Sequence, residues 1–405
     1  MSRRRTILAA ALSLLPLGQP LVVGTVFVIT TSAVVLSSAQ KAKAESANYY
    51  FDRAYKKNQS GDYSGAISDY TKALEINPKL LNAYINRGMI KDIQYSDYSG
   101  AISDYNEALE INPESVEAFL ERGASKLGLE DYHGAISDST KAITLDTLNS
   151  GTYIAFMNRG IAKSSLKDYS GALSDFDKSI ALNKEYSLAY NNRGLTKVKT
   201  NDYSGGISDY DTAIKINPKY WQAYQNRGIA KSDIKDYLGA ISDLDKSIQI
   251  NPTNEYSYLN RGLAKSDSND YFGAISDFSK SIEINPTNAL VYLNRGLAKS
   301  EVEDYPGAIS DFNKVLKYNP KLFVAYEMLA ISKMSTKDFS GAILDINNLI
   351  DINPSNPSVQ NGRIYAMRGW ARLFSKDKNG ACDDWRKASS LGEKDASTWV
   401  KEDCS

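Results

Sequence analysis

The sequence has one histidine and two cysteines in 405 residues, and its 48 basic and 48 acidic side chains cancel. With His133 alone, no Ser-His-Asp triad, Cys-His pair or multi-histidine metal site can be assembled. Zero net charge removes the bulk attraction that nonspecific nucleic-acid binding needs, so nucleic acid is a poor partner class. No glycine-rich phosphate loop, metal-ligand cluster or nucleophile-base pair is present. No cofactor, no metal and no enzymatic activity are expected. What is plentiful is tyrosine, 27 residues against 11 Phe and 4 Trp, which calls for a recurring structural slot.

Long apolar runs are confined to the N-terminus. Arg3, Arg4 and Arg5 precede an apolar stretch from Ile7 to Leu36, and Ala42-Lys43-Ala44 follows. Positive start, apolar middle and small-residue end are the parts of a secretory signal. The stretch is long for a cleaved signal, so an uncleaved anchor across residues 6–36 is the alternative. Either form places the remainder beyond the membrane, exported and possibly anchored, with the membrane touched only through this segment. A cut after Ala44 would remove five basic residues and no acidic one, leaving the chain mildly acidic.

From there one unit is written ten times. Segments like Asp236-Tyr237-Leu238-Gly239-Ala240-Ile241-Ser242-Asp243 begin at Asp62, Asp97, Asp131, Asp168, Asp202, Asp236, Asp270, Asp304, Asp338 and, degraded, Asp377. Six of the nine intervals are 34 residues, and the longer ones carry their extra residues in loops. A period near 34 predicts stacked supersecondary units. Within one unit Tyr224, Arg227, Gly228 and Lys231 share one helix face, and Ala240, Leu244 and Ser247 share a face of a second helix. Asp236 is a candidate N-cap, and Asn251-Pro252 ends the second helix. Small residues at Gly228 and Ala240 let the helices approach, and aromatics such as Tyr224 and Tyr237 are expected to fill the space between hairpins.

Over residues 47 to 392 the chain resembles the tetratricopeptide repeat family. The aromatic slot holds Tyr84, Phe119, Phe156, Tyr190, Tyr224, Tyr258, Tyr292, Tyr326 and Tyr365; the glycine slot runs from Gly88 to Gly369, with Ala330 as an exception. The alanine slot runs from Ala66 to Ala381, with Gly206 as an exception, and the terminal proline is absent at Lys184 and in Leu145-Asp146-Thr147. The resemblance implies an all-α, right-handed superhelical solenoid of about ten helix-turn-helix repeats over residues 45–392, with a C-terminal cap over 393–405. It also implies a concave face that holds segments of other proteins.

Two residues before the glycine slot stand Asn86, Asn158, Asn192, Asn226, Asn260 and Asn294, whereas Asp52, Glu121, Met328 and Met367 replace the amide elsewhere. The resemblance places this slot in the groove, where a row of amides can both donate to and accept from an extended backbone. Beside it run an Arg row from Arg87 to Arg295 and a Lys row from Lys91 to Lys333, answered by Asp104, Asp138, Asp175, Asp209, Asp243, Asp277 and Asp311. Equal supply of opposite charges favours pairing within the solenoid over a site for acidic ligands. The groups three residues beyond the amides are apolar, so the basic clamp that some relatives use for acidic tails is not built. Cys382 and Cys404 lie near the end, where a disulfide pinning the cap suits an exported chain and two free buried thiols suit a cytoplasmic one. The function expected is a non-catalytic scaffold or adaptor that binds a protein or peptide segment. The alternative is a self-associating assembly factor at the membrane.

Overall fold

The computed structural model describes residues 46–146, 151–352 and 362–404; the expected signal or anchor lies outside the described residues. Everything regular in it is α-helix. Two compact units divide the chain at Pro218 and Lys219. The first holds α1 (Ala47–Gln59), α2 (Tyr63–Ile76), α3 (Leu81–Tyr95), α4 (Tyr98–Ile111), α5 (Val116–Gly128), α6 (Tyr132–Leu145), α7 (Thr152–Ser165), α8 (Tyr169–Leu182), α9 (Ser187–Lys199) and α10 (Tyr203–Ile216). The second holds α11 (Trp221–Asp233), α12 (Tyr237–Ile250), α13 (Glu255–Asp267), α14 (Tyr271–Ile284), α15 (Ala289–Glu301), α16 (Tyr305–Tyr318), α17 (Phe323–Ser335), α18 (Phe339–Ile352), α19 (Arg363–Phe374), α20 (Lys378–Ser390) and α21 (Ala396–Asp403). Each unit is thus a row of five antiparallel hairpins, and the second carries one helix more. Within each unit a hairpin packs mainly on the next one in sequence, the all-α solenoid arrangement.

The turn inside each hairpin has one recipe. An aspartate caps the second helix, as where the Gly239 N–H donates to Asp236 Oδ1 at 3.0 Å, and the same bond recurs in all ten hairpins. The residue before the cap is left-handed each time, with φ between 53° and 82°. Only the first hairpin uses glycine there, Gly61; the others strain Ser96, Glu130, Lys167, Asn201, Lys235, Asn269, Glu303, Lys337 and Lys376 into it. The cap orients a helix N-terminus at every turn, so we expect Asp236→Ala to cost about 1 kcal/mol in chemical denaturation.

Between hairpins the Asn before the proline shapes the turn. Asn251 Oδ1 accepts from the Thr253 N–H, and Asn183 Oδ1 accepts from the Glu185 N–H at 3.1 Å although Lys184 replaces the proline. Asp146 Oδ2 takes over where both are missing, accepting from the Gly151 N–H at 2.8 Å and the Thr152 hydroxyl at 2.7 Å.

Tyr224 and Tyr237 are half-buried, and in the first hairpins the same two slots, Tyr84 and Tyr63, pack against core shared by successive hairpins. The space beside the glycine slot, inside each hairpin, is filled from the second helix, by Tyr105, Phe176, Tyr210, Leu244, Phe278 and Phe312, all buried. A glycine on the first helix leaves room for a ring from the second: a Cβ at Gly296 would meet Phe312 Cε1 at 2.7 Å. At the end of the chain Cys382 and Cys404 form a disulfide, and Trp399 of α21 meets Trp370 and Trp385 at 5.2 and 5.8 Å between ring centroids. Together these hold α21 on the last hairpin.

Candidate peptide-binding face

In each unit the first helices of successive hairpins touch one another, α3, α5, α7 and α9 in one and α11, α13, α15 and α17 in the other. A continuous face of first helices results within each unit. Its composition is set by which side chains the solenoid uses internally.

The Arg and Lys rows are used internally. Arg159 donates from Nε and Nη2 to the two oxygens of Asp175 at 2.9 and 2.8 Å, while Lys163 reaches Asp175 Oδ2 at 2.7 Å. The third guanidinium nitrogen donates to Thr140 Oγ1 on the preceding hairpin at 3.1 Å. One arginine therefore joins both helices of its hairpin to its neighbour, which needs a planar fork and not a point charge. The arrangement repeats with Arg87, Arg122, Arg193 and Arg295, and it extends to Arg53–Asp69 and Arg368–Asp384 at the ends of the chain. The aromatic slot lies under the same guanidinium, with Arg159 5.3 Å from the Phe156 ring centre and Arg193 5.5 Å from that of Tyr190. The basic rows are tied to the second helices, which leaves the face of first helices to amides, apolar groups and carboxylates.

The carboxylates report how complete each network is. Hydrogen bonds from Arg53 hold Asp69 at about 2. Burial alone would raise Asp175, but Arg159 and Lys163 outweigh it and leave the group below the usual carboxylate range. Leu329 replaces the arginine in the ninth hairpin, Lys333 pairs alone with Asp345 at 2.6 Å, and burial pushes Asp345 up.

Of the amide row, Asn158, Asn260 and Asn294 are buried, and Asn86, Asn192 and Asn226 are partly exposed. Asn192 Nδ2 donates to the Leu188 carbonyl at 2.9 Å, Asn260 to Tyr256 and Asn294 to Leu290, each at 2.8 Å. One N–H thus fixes the amide to the preceding turn of its own helix, and the amide has a further N–H and an oxygen. The apolar neighbours Met89, Ile161, Leu195, Ile229, Leu263 and Leu297 are half-buried walls, neither free anchors nor full core. Ile161, Ser165, Asn192 and Leu195 line a small cleft between α7 and α9.

Three features of this face escape the repeat pattern. Glu327 on α17 pairs with Arg363 on α19 at 2.6 Å. Asp92 on α3 accepts from the Ser125 hydroxyl on α5. Glu117 and Glu121 stand one turn apart on α5, on the face turned to Asp92, and their spacing was the available signal. Among the described residues no group of three or more His, Cys, Asp or Glu could hold a metal ion. No described helix is long and apolar enough to cross a membrane.

Such hairpins, with an alanine and a glycine slot at a 34-residue period, define a helical-repeat protein. The tetratricopeptide repeat model matches residues 47–80, 188–220, 222–254 and 256–288, so the chain carries tetratricopeptide repeats, a fold that is generally a non-catalytic protein-interaction module. None of the curated proteins compared with the chain matches it. Among solved structures, MamA is 27% identical, aligning over 40% of this chain and 92% of its own with a TM-score of 0.35. PilF of Pseudomonas aeruginosa is 18% identical over 56% of this chain and 99% of its own, with a TM-score of 0.47. YrrB, described as a tetratricopeptide repeat protein with an unusual peptide-binding site, is 22% identical over 46% and 95%, with a TM-score of 0.35.

Proposed function

We propose that the chain is a scaffold that holds an extended segment of another protein against the face of first helices. The observation that carries this reading is the division of labour in the repeats. The Arg and Lys rows bind the solenoid's own aspartates, so the face of first helices keeps half-buried Ile161 and Leu195 in the first unit, and Leu263 and Leu297 in the second, beside amides whose orientation is fixed by their own helix. A photo-cross-linking residue in place of Leu195 or Leu263 should capture a partner, and one in place of Leu344, which is 60% exposed on second helix α18, should not. Capture from Leu344 alone would refute the reading. Self-association is the second reading, and a mass that rises with concentration in light scattering would favour it. We also place the chain outside the cytoplasm, supported by the basic-apolar N-terminus and by a C-terminal disulfide that suits an oxidising compartment. Fractionation of the native host should recover it in the extracytoplasmic fraction or, if residues 6–36 stay as an anchor, with the membrane; recovery in the cytoplasmic fraction would refute this placement.

A further inference from the structure

The last helix stands where an eleventh first helix would. α21 packs on α20 as first helices within each unit pack on the second helix before them. Ala396 shares an apolar cluster with Ala388, as Ala118 does with Ala108 and Ala325 with Val315 in the same slots. It is a weak version of such a helix. α21 has eight residues where α3 has fifteen and α19 has twelve, no side chain caps its N-terminus, and Ala396 is its one buried residue. So short a helix is marginal without packing. The ion pairs nearby, Arg372 with Asp384 and Arg386 with Asp383, stay within the last hairpin. Docking of α21 therefore depends on the disulfide, which joins Cys404 to Cys382 in the slot where Ile241 stands in the sixth hairpin.

What α21 covers is the end of the second unit's face. Trp370 follows Gly369, in the slot that holds the apolar walls Leu263 and Leu297 in earlier hairpins, and Trp399 meets it at 5.2 Å between ring centroids. Phe374, one turn further along α19, stacks on Trp370 and stays 54% exposed. Met328 and Met367 stand where other hairpins carry amides, so this end of the face trades amides for apolar groups. The two sulfurs are unequally placed. Cys382 is buried, whereas Cys404, just past the last turn of α21, is partly exposed.

We propose that α21 is a redox-released lid over the aromatic end of the face of first helices, opened by an external dithiol. A thiolate of the dithiol bonds to Cys404 Sγ, and the electron pair of the broken S–S bond goes to Cys382 Sγ, which takes up a proton. The second thiolate of the dithiol then displaces Cys404 and closes its own disulfide, so that both cysteines are reduced and the dithiol is oxidised. With only Ala396 and Trp399 to hold it, α21 leaves α20 and uncovers Trp370. The apolar row of the face then runs one hairpin further. In an oxidising compartment the lid is closed by default, and the dithiol is the opening signal. Release does not depend on what the face binds; its use in binding rests on the segment-holding reading.

The test is hydrogen exchange of the full chain, read by mass spectrometry before and after treatment with dithiothreitol, with iodoacetamide labelling to count the freed thiols. Both cysteines should be labelled without denaturant, and the amides of α21 should exchange on the order of a hundredfold faster once the cross-link is gone. Those of α17 and α18 should keep their rates, and tryptophan emission should move to longer wavelength. Cys404→Ala should show the fast exchange of α21 with no reductant and should not respond to it. Unchanged exchange of α21 in a chain with both thiols labelled would overturn the lid, because the aromatic contacts alone would then hold the helix. A disulfide that opens only in denaturant would overturn it too, as would loss of protection across the whole second unit. None of these readouts needs a partner, so any such failure leaves the segment-holding reading to its own cross-linking test.

Discussion

Asp175→Asn is expected to destabilise the first unit by about 3 kcal/mol, and Asp345→Asn to change the second by no more than about 1 kcal/mol. Asp175 is buried with two cations on it; without its charge Arg159 and Lys163 remain in place, mostly covered, with nothing to neutralise them. Asp345 has one cation, and burial already holds its carboxyl above the usual range, so the charged form is the costly one there. The pH dependence has opposite signs at the two kinds of site. Carboxylates held low, such as Asp69 at about 2, contribute stability that is complete above about pH 4 and is lost as pH falls toward 2. At Asp345 the folded state takes up its proton first, so falling pH favours folding until the unfolded group is protonated too. Urea denaturation of the three proteins at pH 7 and pH 3 reads both effects. An equal loss in the two variants would contradict the account of the networks.

Gly296→Ala and Gly123→Ala are expected to move stability in opposite directions, with a gap of about 3 kcal/mol. Both glycines sit inside a first helix, where alanine alone gains about 1 kcal/mol. At Gly296 the new methyl would meet the Phe312 ring at 2.7 Å, and overpacking outweighs the gain. At Gly123 the nearest atom is Asp138 Cβ at 3.5 Å, an ordinary contact, because Ser139 stands where a ring stands elsewhere. Thermal melts of the two variants decide it, and the same sign for both would refute the ring-on-glycine packing.

That contrast shows what a repeat conveys by its spacing. The hairpins, their capping aspartates and the pairing of Arg with Asp follow from a 34-residue period, because each depends on one residue type at one position. Which side chain fills the space above glycine did not follow: rings occur in two slots per repeat, and only the packed structure shows that the Tyr224 slot lies under arginine while the Phe312 slot lies on glycine. The left-handed residue before each cap was equally hidden, since Lys235, Asn269 and Glu303 carry no glycine signal. On the candidate face, the amide row was legible as a row. That Asn192, Asn260 and Asn294 each spend one N–H on the carbonyl four residues earlier in their own helix depends on the side-chain rotamer, which spacing does not convey.

The most direct test of the central claim is affinity capture from the native host with the full chain and an Asn192→Ala, Asn226→Ala, Asn260→Ala variant, read by mass spectrometry. Each substitution gives up one hydrogen bond of about 1 kcal/mol and recovers about half of it as helix propensity, so the variant should melt close to the wild type. The account predicts a partner recovered by the wild type and lost from the variant. Identical partner lists from two equally folded proteins would contradict it.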